Sequence, residues 1–188
     1  MTTRSRILDA TLALVQQARG PIPMAAIARE AGLSRQALYL IFADRADLFI
    51  ALLRYVDGQR GMVGEIAAVR AAPTGVDALM AVVDRAARLN PDQKPLADVF
   101  ELLRRQDPAV ESACQDRDGD RLAGCRAVVA RIAEEGRLRP GLDPAVAADL
   151  VWTLTSMSAW DDLVTRRGWT AAQYREHLAA TLMAAVVA

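Results

Sequence analysis

Residues 23–42 read PMAAIAREAGLSRQALYLIF, and this stretch decides the fold. A helix from about Met24 to Ala31 turns Ile27 and Ala31, four residues apart, toward one neighbour, with Ala28 small enough for a second helix to cross closely. Gly32 stands where the chain must leave that helix through a left-handed residue, and Leu33 plugs the corner. Ser34 caps the next helix, its side-chain oxygen accepting from the amides near Gln36 or Ala37. That helix buries Leu38, Ile41 and Phe42 and leaves Arg35, Gln36 and Tyr39 outside. The pattern is a helix-turn-helix.

The chemistry left exposed at the start of the second helix points to duplex DNA. Arginine makes bidentate contacts to guanine O6 and N7, and glutamine to adenine N6 and N7, each worth about 1–3 kcal/mol of discrimination. A recognition helix presents its N-terminal side chains to base edges in this way. Arg35 or Gln36 alone reads as an ordinary solvated side chain, but Ala28, Gly32, Ser34 and Leu38 at these spacings favour base contact for both.

The residues Ile27-Ala28, Ala31-Gly32-Leu33-Ser34, Leu38-Tyr39, Phe42 and Asp44-Arg45-Ala46-Asp47-Leu48 resemble the TetR family of one-component transcriptional regulators. The resemblance implies that Tyr39 and Arg45 hold DNA phosphates. Asp44 can cap a helix starting at Arg45, which would set a guanidinium beside unpaired helix amides, both suited to a phosphate oxygen. The DNA-binding set is therefore Ser34, Arg35, Gln36, Tyr39 and Arg45. The chain departs from the family pattern in having Pro23-Met24 in place of an opening threonine or serine. It also has Ile41, preceded by Leu40, where histidine or tyrosine is frequent.

The chain has 188 residues, 53% of them apolar, and no net charge. Its charge is uneven. Residues 1–60 carry eight arginines against Asp9, Glu30, Asp44, Asp47 and Asp57, a balance of +3, which leaves −3 for the remainder. No secretory signal is expected, and the uncharged runs Leu150–Trp160 and Leu178–Ala188 are short of the roughly 20 residues that span a bilayer. A cytoplasmic protein with no membrane association is expected. Cys114 and Cys125 lie in one helical stretch, too far apart to bridge, and read as core residues.

The rest of the chain reads as helix, giving an all-α fold. An N-terminal three-helix DNA-binding domain, residues 1–57 with the motif at 23–42, precedes a larger helical effector-binding and dimerisation domain, residues 58–188. Thr3 caps the first helix and Gly20-Pro21 ends it. Pro73-Thr74-Gly75 is a break, and Pro91 and Pro95 bracket another. Two helices close the chain, about Pro144 to Arg166 and Ala171 to Val187. The second opens with a capping box of Thr170 and Gln173, and Trp169 and Tyr174 are placed as a hydrophobic staple. These two helices predict a homodimer held by a four-helix bundle through Trp160, His177, Leu178, Leu182 and Val186.

By resemblance, the extra helices enclose a mainly apolar small-molecule effector. Met62, Met80, Phe100, Leu103, Trp152 and Met157 are adaptable wall residues, though equally those of an ordinary core. No cofactor and no metal is expected. The Asp116–Asp120 cluster lacks the glycine and glutamate positions of a calcium loop. The one histidine, His177, lies on an amphipathic helix without catalytic company, so an enzyme is disfavoured. A helical interaction module that has lost DNA binding is the other reading, and the presence of Arg35, Gln36, Tyr39 and Arg45 together argues against it. The expectation is a ligand-responsive repressor on a pseudo-palindromic operator.

Overall fold

The computed structural model describes residues 2–17, 22–59 and 62–188, with side chains throughout except at 59, 62–65 and 109. Its elements are α1 (Thr3–Gln17), α2 (Met24–Glu30), α3 (Arg35–Tyr39), α4 (Arg45–Gln59), α5 (Met62–Ala71) and α6 (Gly75–Arg104). After them come α7 (Pro108–Glu134), α8 (Pro144–Leu154), α9 (Met157–Trp160), a π-helical segment (Asp161–Arg166) and α10 (Ala171–Val186). Among the described residues, extended pairing is confined to an isolated antiparallel bridge between Leu138 and Val187. The fold is all-α, as the periodicity requires. The expected stop at Gly20-Pro21 lies outside the described residues.

Caps fix most of the starts. Asp143 accepts from the Ala145 amide at 2.7 Å with Pro144 in the first turn. Thr170 and Gln173 form the reciprocal box that opens α10. The aromatic residues beside that box make separate ring contacts, Trp169 with His177 and Tyr174 with Trp160. At α1 the cap is Thr2 instead of Thr3: the Thr2 hydroxyl oxygen accepts from the Ser5 amide at 3.1 Å.

Two expected boundaries differ. Helix α6 runs unbroken through Pro91 and Pro95. Each proline removes one amide donor, and the two lie four apart on one side of the helix, where Pro91 is exposed and Pro95 half-buried. The expected long helix from Pro144 to Arg166 is instead interrupted after Leu154. There the Thr155 hydroxyl donates to the Val151 carbonyl at 2.6 Å, and Ser156 starts α9 by accepting from the Ala159 amide at 3.1 Å. Hydroxyl side chains have offered the backbone a local alternative to continued helix.

The chain forms two compact units. The first comprises Met1–Met62 and Gln93–Asp116, the second Val63–Asp92 and Arg117–Ala188. In the first, Ile7 and Val15 of α1, Ile27 of α2, Leu38, Phe42, and Phe49 and Leu52 of α4 form a dry core, joined by Val99, Phe100 and Leu103. Phe49 and Phe100 meet edge to face with centroids 5.9 Å apart, worth about 0.5–1.5 kcal/mol beyond burial. The Tyr55 hydroxyl donates to Asp9 at 2.6 Å and ties α4 to α1.

In the second unit, Leu79 and Val83, Val129 and Ile132, Ala147 and Val151 close around Trp160, Tyr174, Leu178, Leu182 and Val186. Gly75 is required where α6 begins, because a Cβ there would lie 2.6 Å from the Ile132 amide nitrogen. Both carboxylate oxygens of Glu135 accept from the Gly75 amide at 2.9 Å, and Arg131 donates to the Ala72 carbonyl at 2.7 Å. The α5–α6 turn is thereby clamped to the end of α7.

Candidate nucleic-acid interface

The corner between α2 and α3 is built by backbone alone. Gly32, at φ +65°, donates to the Arg29 carbonyl at 3.1 Å, and Leu33 donates back to Ala28 at 2.9 Å. Only glycine adopts that φ without strain. Ser34 then takes an extended conformation and its Oγ accepts from the Ala37 amide at 3.1 Å, a cap worth about 1 kcal/mol. Beneath, Ile27, Leu38 and Phe42 are fully buried, so α3 is seated against α2 on the shared core. Arg35 and Gln36 are left in solvent on its first turn and Tyr39, 44% exposed, on its last.

Two guanidinium groups lie over aromatic rings of this unit. Arg45, at the start of α4, lies over the Phe49 ring with 5.5 Å to its centroid. The start is fixed by Asp44, whose carboxylate accepts from the Asp47 amide at 2.8 Å, while Asp47 accepts from the Ala43 amide at 3.1 Å. Arg45 Nε and Nη2 are buried with no hydrogen-bond partner, which leaves Nη1 as the donor open to a ligand. Arg4, at the start of α1, stands 4.6 Å from the centroid of Phe42, the residue that closes the motif. Sequence reasoning missed Arg4. Its signal was a position one turn before Ile7, on the apolar face of the helix that packs behind the motif. It also missed Leu40, noted only as the residue before Ile41. At 84% exposure beside Tyr39, Leu40 is an apolar side chain held in water at the end of α3.

Residues 7–52 match the family model described as bacterial regulatory proteins, tetR family. The N-terminal domain is a TetR-family domain. None of the curated proteins matches the chain. Solved structures match it over nearly its full length at low identity. A protein of Saccharomonospora viridis solved in complex with choline gives a TM-score of 0.80 at 18% identity, covering 98% of this chain and 97% of that one. FadR of Bacillus subtilis, in complex with stearoyl-CoA, gives 0.75 at 18% identity, covering 96% and 98%. NalD of Pseudomonas aeruginosa, the secondary repressor of the MexAB-OprM multidrug efflux pump, gives 0.71 at 22% identity, covering 98% and 96%. At these identities the likeness shows that the TetR-family domain and the helices after it share one overall fold with those proteins.

The residues expected to line an effector site do not share one unit. Phe100 and Leu103 belong to the core of the first, packed with Phe49 and the helices of the TetR-family domain. Met80, Trp152 and Met157 pack half-buried in the second. The Met62 side chain lies outside the described residues. Methionine and aromatic content did not separate wall from core, because both are apolar and adaptable.

The expected dimer residues require a correction. Leu182 and Val186 are fully buried, and Trp160 and Leu178 are 4% exposed, all within the core of this chain's own second unit. Their side chains are not surface for a second copy. The apolar face of α10 is instead covered by α8 and its neighbours. Of the five, only His177 is exposed, edge-on to Trp169 with centroids 5.3 Å apart. Among the described residues no group of acidic, histidine or cysteine side chains could hold a metal ion, and no helix is long and apolar enough to cross a membrane. Cys114 and Cys125 are both buried, and neither is in a disulfide.

Proposed function

We propose that the protein is a ligand-responsive transcriptional repressor that binds a pseudo-palindromic operator as a homodimer. The observation that carries the reading is the side-chain set on and around α3: Arg35 and Gln36 free in solvent on a capped helix seated on a closed apolar core. Arg35 and Gln36 read base edges in the major groove. Ser34, Tyr39, Arg45 and Arg4 hold phosphates, and Leu40 packs on a thymine methyl group. Residues 1–57 are the reading domain and 58–188 the effector-binding and dimerisation domain.

A palindromic operator calls for two-fold symmetry, and α8 offers a face for it: Val146 is 50% exposed and Leu150 37%. On α10 the outward residues His177, Ala180, Thr181 and Ala184 are small or polar enough for a close helix crossing. Among proteins of similar fold, one is solved with choline, one with stearoyl-CoA, and one is a repressor, in line with a switch operated by a small molecule in this chain as well. The ligand acts by favouring the spread of the two α3 helices that misfits half-sites one turn apart, roughly 34 Å.

The test is selection of a duplex from random sequence, followed by titration of that duplex and of a random one. Arg35→Ala and Gln36→Ala should each lose about 1–3 kcal/mol on the selected duplex and less on the random one, whereas Tyr39→Phe should weaken both alike. Equal losses on both duplexes for Arg35→Ala would remove its base-reading role.

A further inference from the structure

One arginine in the second unit is held in a way that serving its own fold does not account for. Arg121, half-buried on α7, is fixed from two sides. Its guanidinium carbon lies 4.5 Å from the centroid of the Trp152 ring, and Nη1 donates to the Trp152 carbonyl at 2.8 Å and to Thr155 Oγ1 at 3.4 Å. Trp152 is itself anchored, its indole N–H donating to the Asp118 carbonyl at 3.3 Å. The bonds from Nη1 satisfy carbonyl and hydroxyl groups at the C-terminal end of α8, which is a role any helix-capping arginine fills.

The cap uses one nitrogen of three. Among the described residues, Nε and Nη2 of Arg121 donate to no protein atom and no carboxylate lies within ion-pair distance, yet neither nitrogen is sealed from solvent. A guanidinium locked by stacking at one face and by hydrogen bonds at one corner presents its remaining N–H groups in a fixed fork, the geometry that matches a carboxylate or phosphate. Burial favours a negative guest. It is the main influence on the Arg121 guanidinium and pushes it down from its ordinary range, while Cys125, Asp118 and Tyr174 offset part of that and Arg85 adds a smaller lowering. An incoming anion offsets the cost of burying the cation.

We propose that the open Nε and Nη2 edge of Arg121, stacked on Trp152, is the anchor for the negatively charged head of the effector. The ligand is then an amphiphile with an anionic oxygen group and an apolar body. This rests on the ligand-responsive reading above and narrows it from a mainly apolar compound to an anionic one. It excludes a quaternary ammonium ligand at this place.

The experiment uses the full chain and four compounds of equal alkyl length: decanoate, decyl phosphate, decanol and decyltrimethylammonium. Binding is followed by thermal shift and by tryptophan fluorescence. Decanoate or decyl phosphate should bind at least tenfold more tightly than decanol or the ammonium compound. Arg121→Gln should abolish that preference while circular dichroism shows the unliganded chain still folded, with a melting temperature lowered only by loss of the α8 cap. Arg121→Lys, which retains charge but not the fork, should recover only part of it. If Arg121→Gln fails to fold, Thr155→Val, which removes one bond to Nη1, supplies the comparison and should weaken the anions alone. Equal affinity for all four compounds, tighter binding of the ammonium compound, or undiminished decanoate binding to Arg121→Gln overturns the proposal. A preference between the two anions separates carboxylate from phosphate as the head group. Operator titration is run separately: anion binding lost in Arg121→Gln with operator affinity unaffected by decanoate upholds the anchor and removes the switching role, whereas absence of any DNA binding removes the regulator reading alone.

Discussion

Replacing Arg45 by methionine should make the protein more stable and worse at binding DNA. In the folded chain the Arg45 guanidinium lies over Phe49, and its Nε and Nη2 are buried without partners. A buried donor left unpaired costs about 1–3 kcal/mol. The attraction of the cation to the ring returns about 0.5–1 kcal/mol. Methionine keeps a long apolar stem against Phe49 and removes the unpaired donors, so the net change is a gain of about 1 kcal/mol. For a chain of this size that raises the melting temperature by roughly 2–4 °C. On DNA the variant loses one phosphate contact, which should weaken operator and random duplex alike and reduce the slope of log affinity against log salt by about 0.9. Calorimetric melting and fluorescence anisotropy at several salt concentrations measure both. A variant destabilised by 1 kcal/mol or more would show that the guanidinium supports the fold, and an unchanged salt slope would show that it meets no phosphate.

Leu182→Glu should unfold the second unit instead of splitting a dimer, because Leu182 is fully buried in its own chain and an unpaired buried carboxylate costs several kcal/mol. Val146→Arg with Leu150→Arg on the exposed face of α8 should leave the circular dichroism spectrum intact and shift sedimentation from dimer to monomer. Gly75→Ala must push a methyl group to 2.6 Å from the Ile132 backbone and should lower stability by about 1–3 kcal/mol in a melting experiment, although alanine ordinarily favours a helix. Two phenols are raised to about 12, Tyr55 chiefly by its hydrogen bond to Asp9 and Tyr174 chiefly by burial. Folding holds each phenol neutral, so that stabilisation is fully present below pH 10 and is lost as pH rises from about 10 to 12. Phenolate absorbance of the folded chain should show both ionising late, and Tyr55→Phe should remove one of the two late steps.

What the sequence determined by itself is local. Gly32 needs a left-handed φ, Ser34 supplies an oxygen to an amide three residues on, Asp143-Pro144 and Thr170 with Gln173 start helices, and apolar residues at helical spacing name the inward face. Each of these depends on atoms within a turn of chain, so reading order and spacing suffices, and the whole α2–α3 corner with its outward Arg35 and Gln36 was legible in advance. What lies across the chain was not. Pro91 and Pro95 read as a break, yet α6 continues through both. Leu178, Leu182 and Val186 look the same in sequence whether they meet α8 of their own chain or a second copy, and only tertiary packing assigns them to the core. The Arg4 guanidinium over Phe42, 38 positions away, and the Arg121 guanidinium over Trp152, 31 positions away, are likewise decided by which helices come to lie together. A side chain's chemistry is written in its own residue, but its partner, its burial and therefore its free donors are set by the fold.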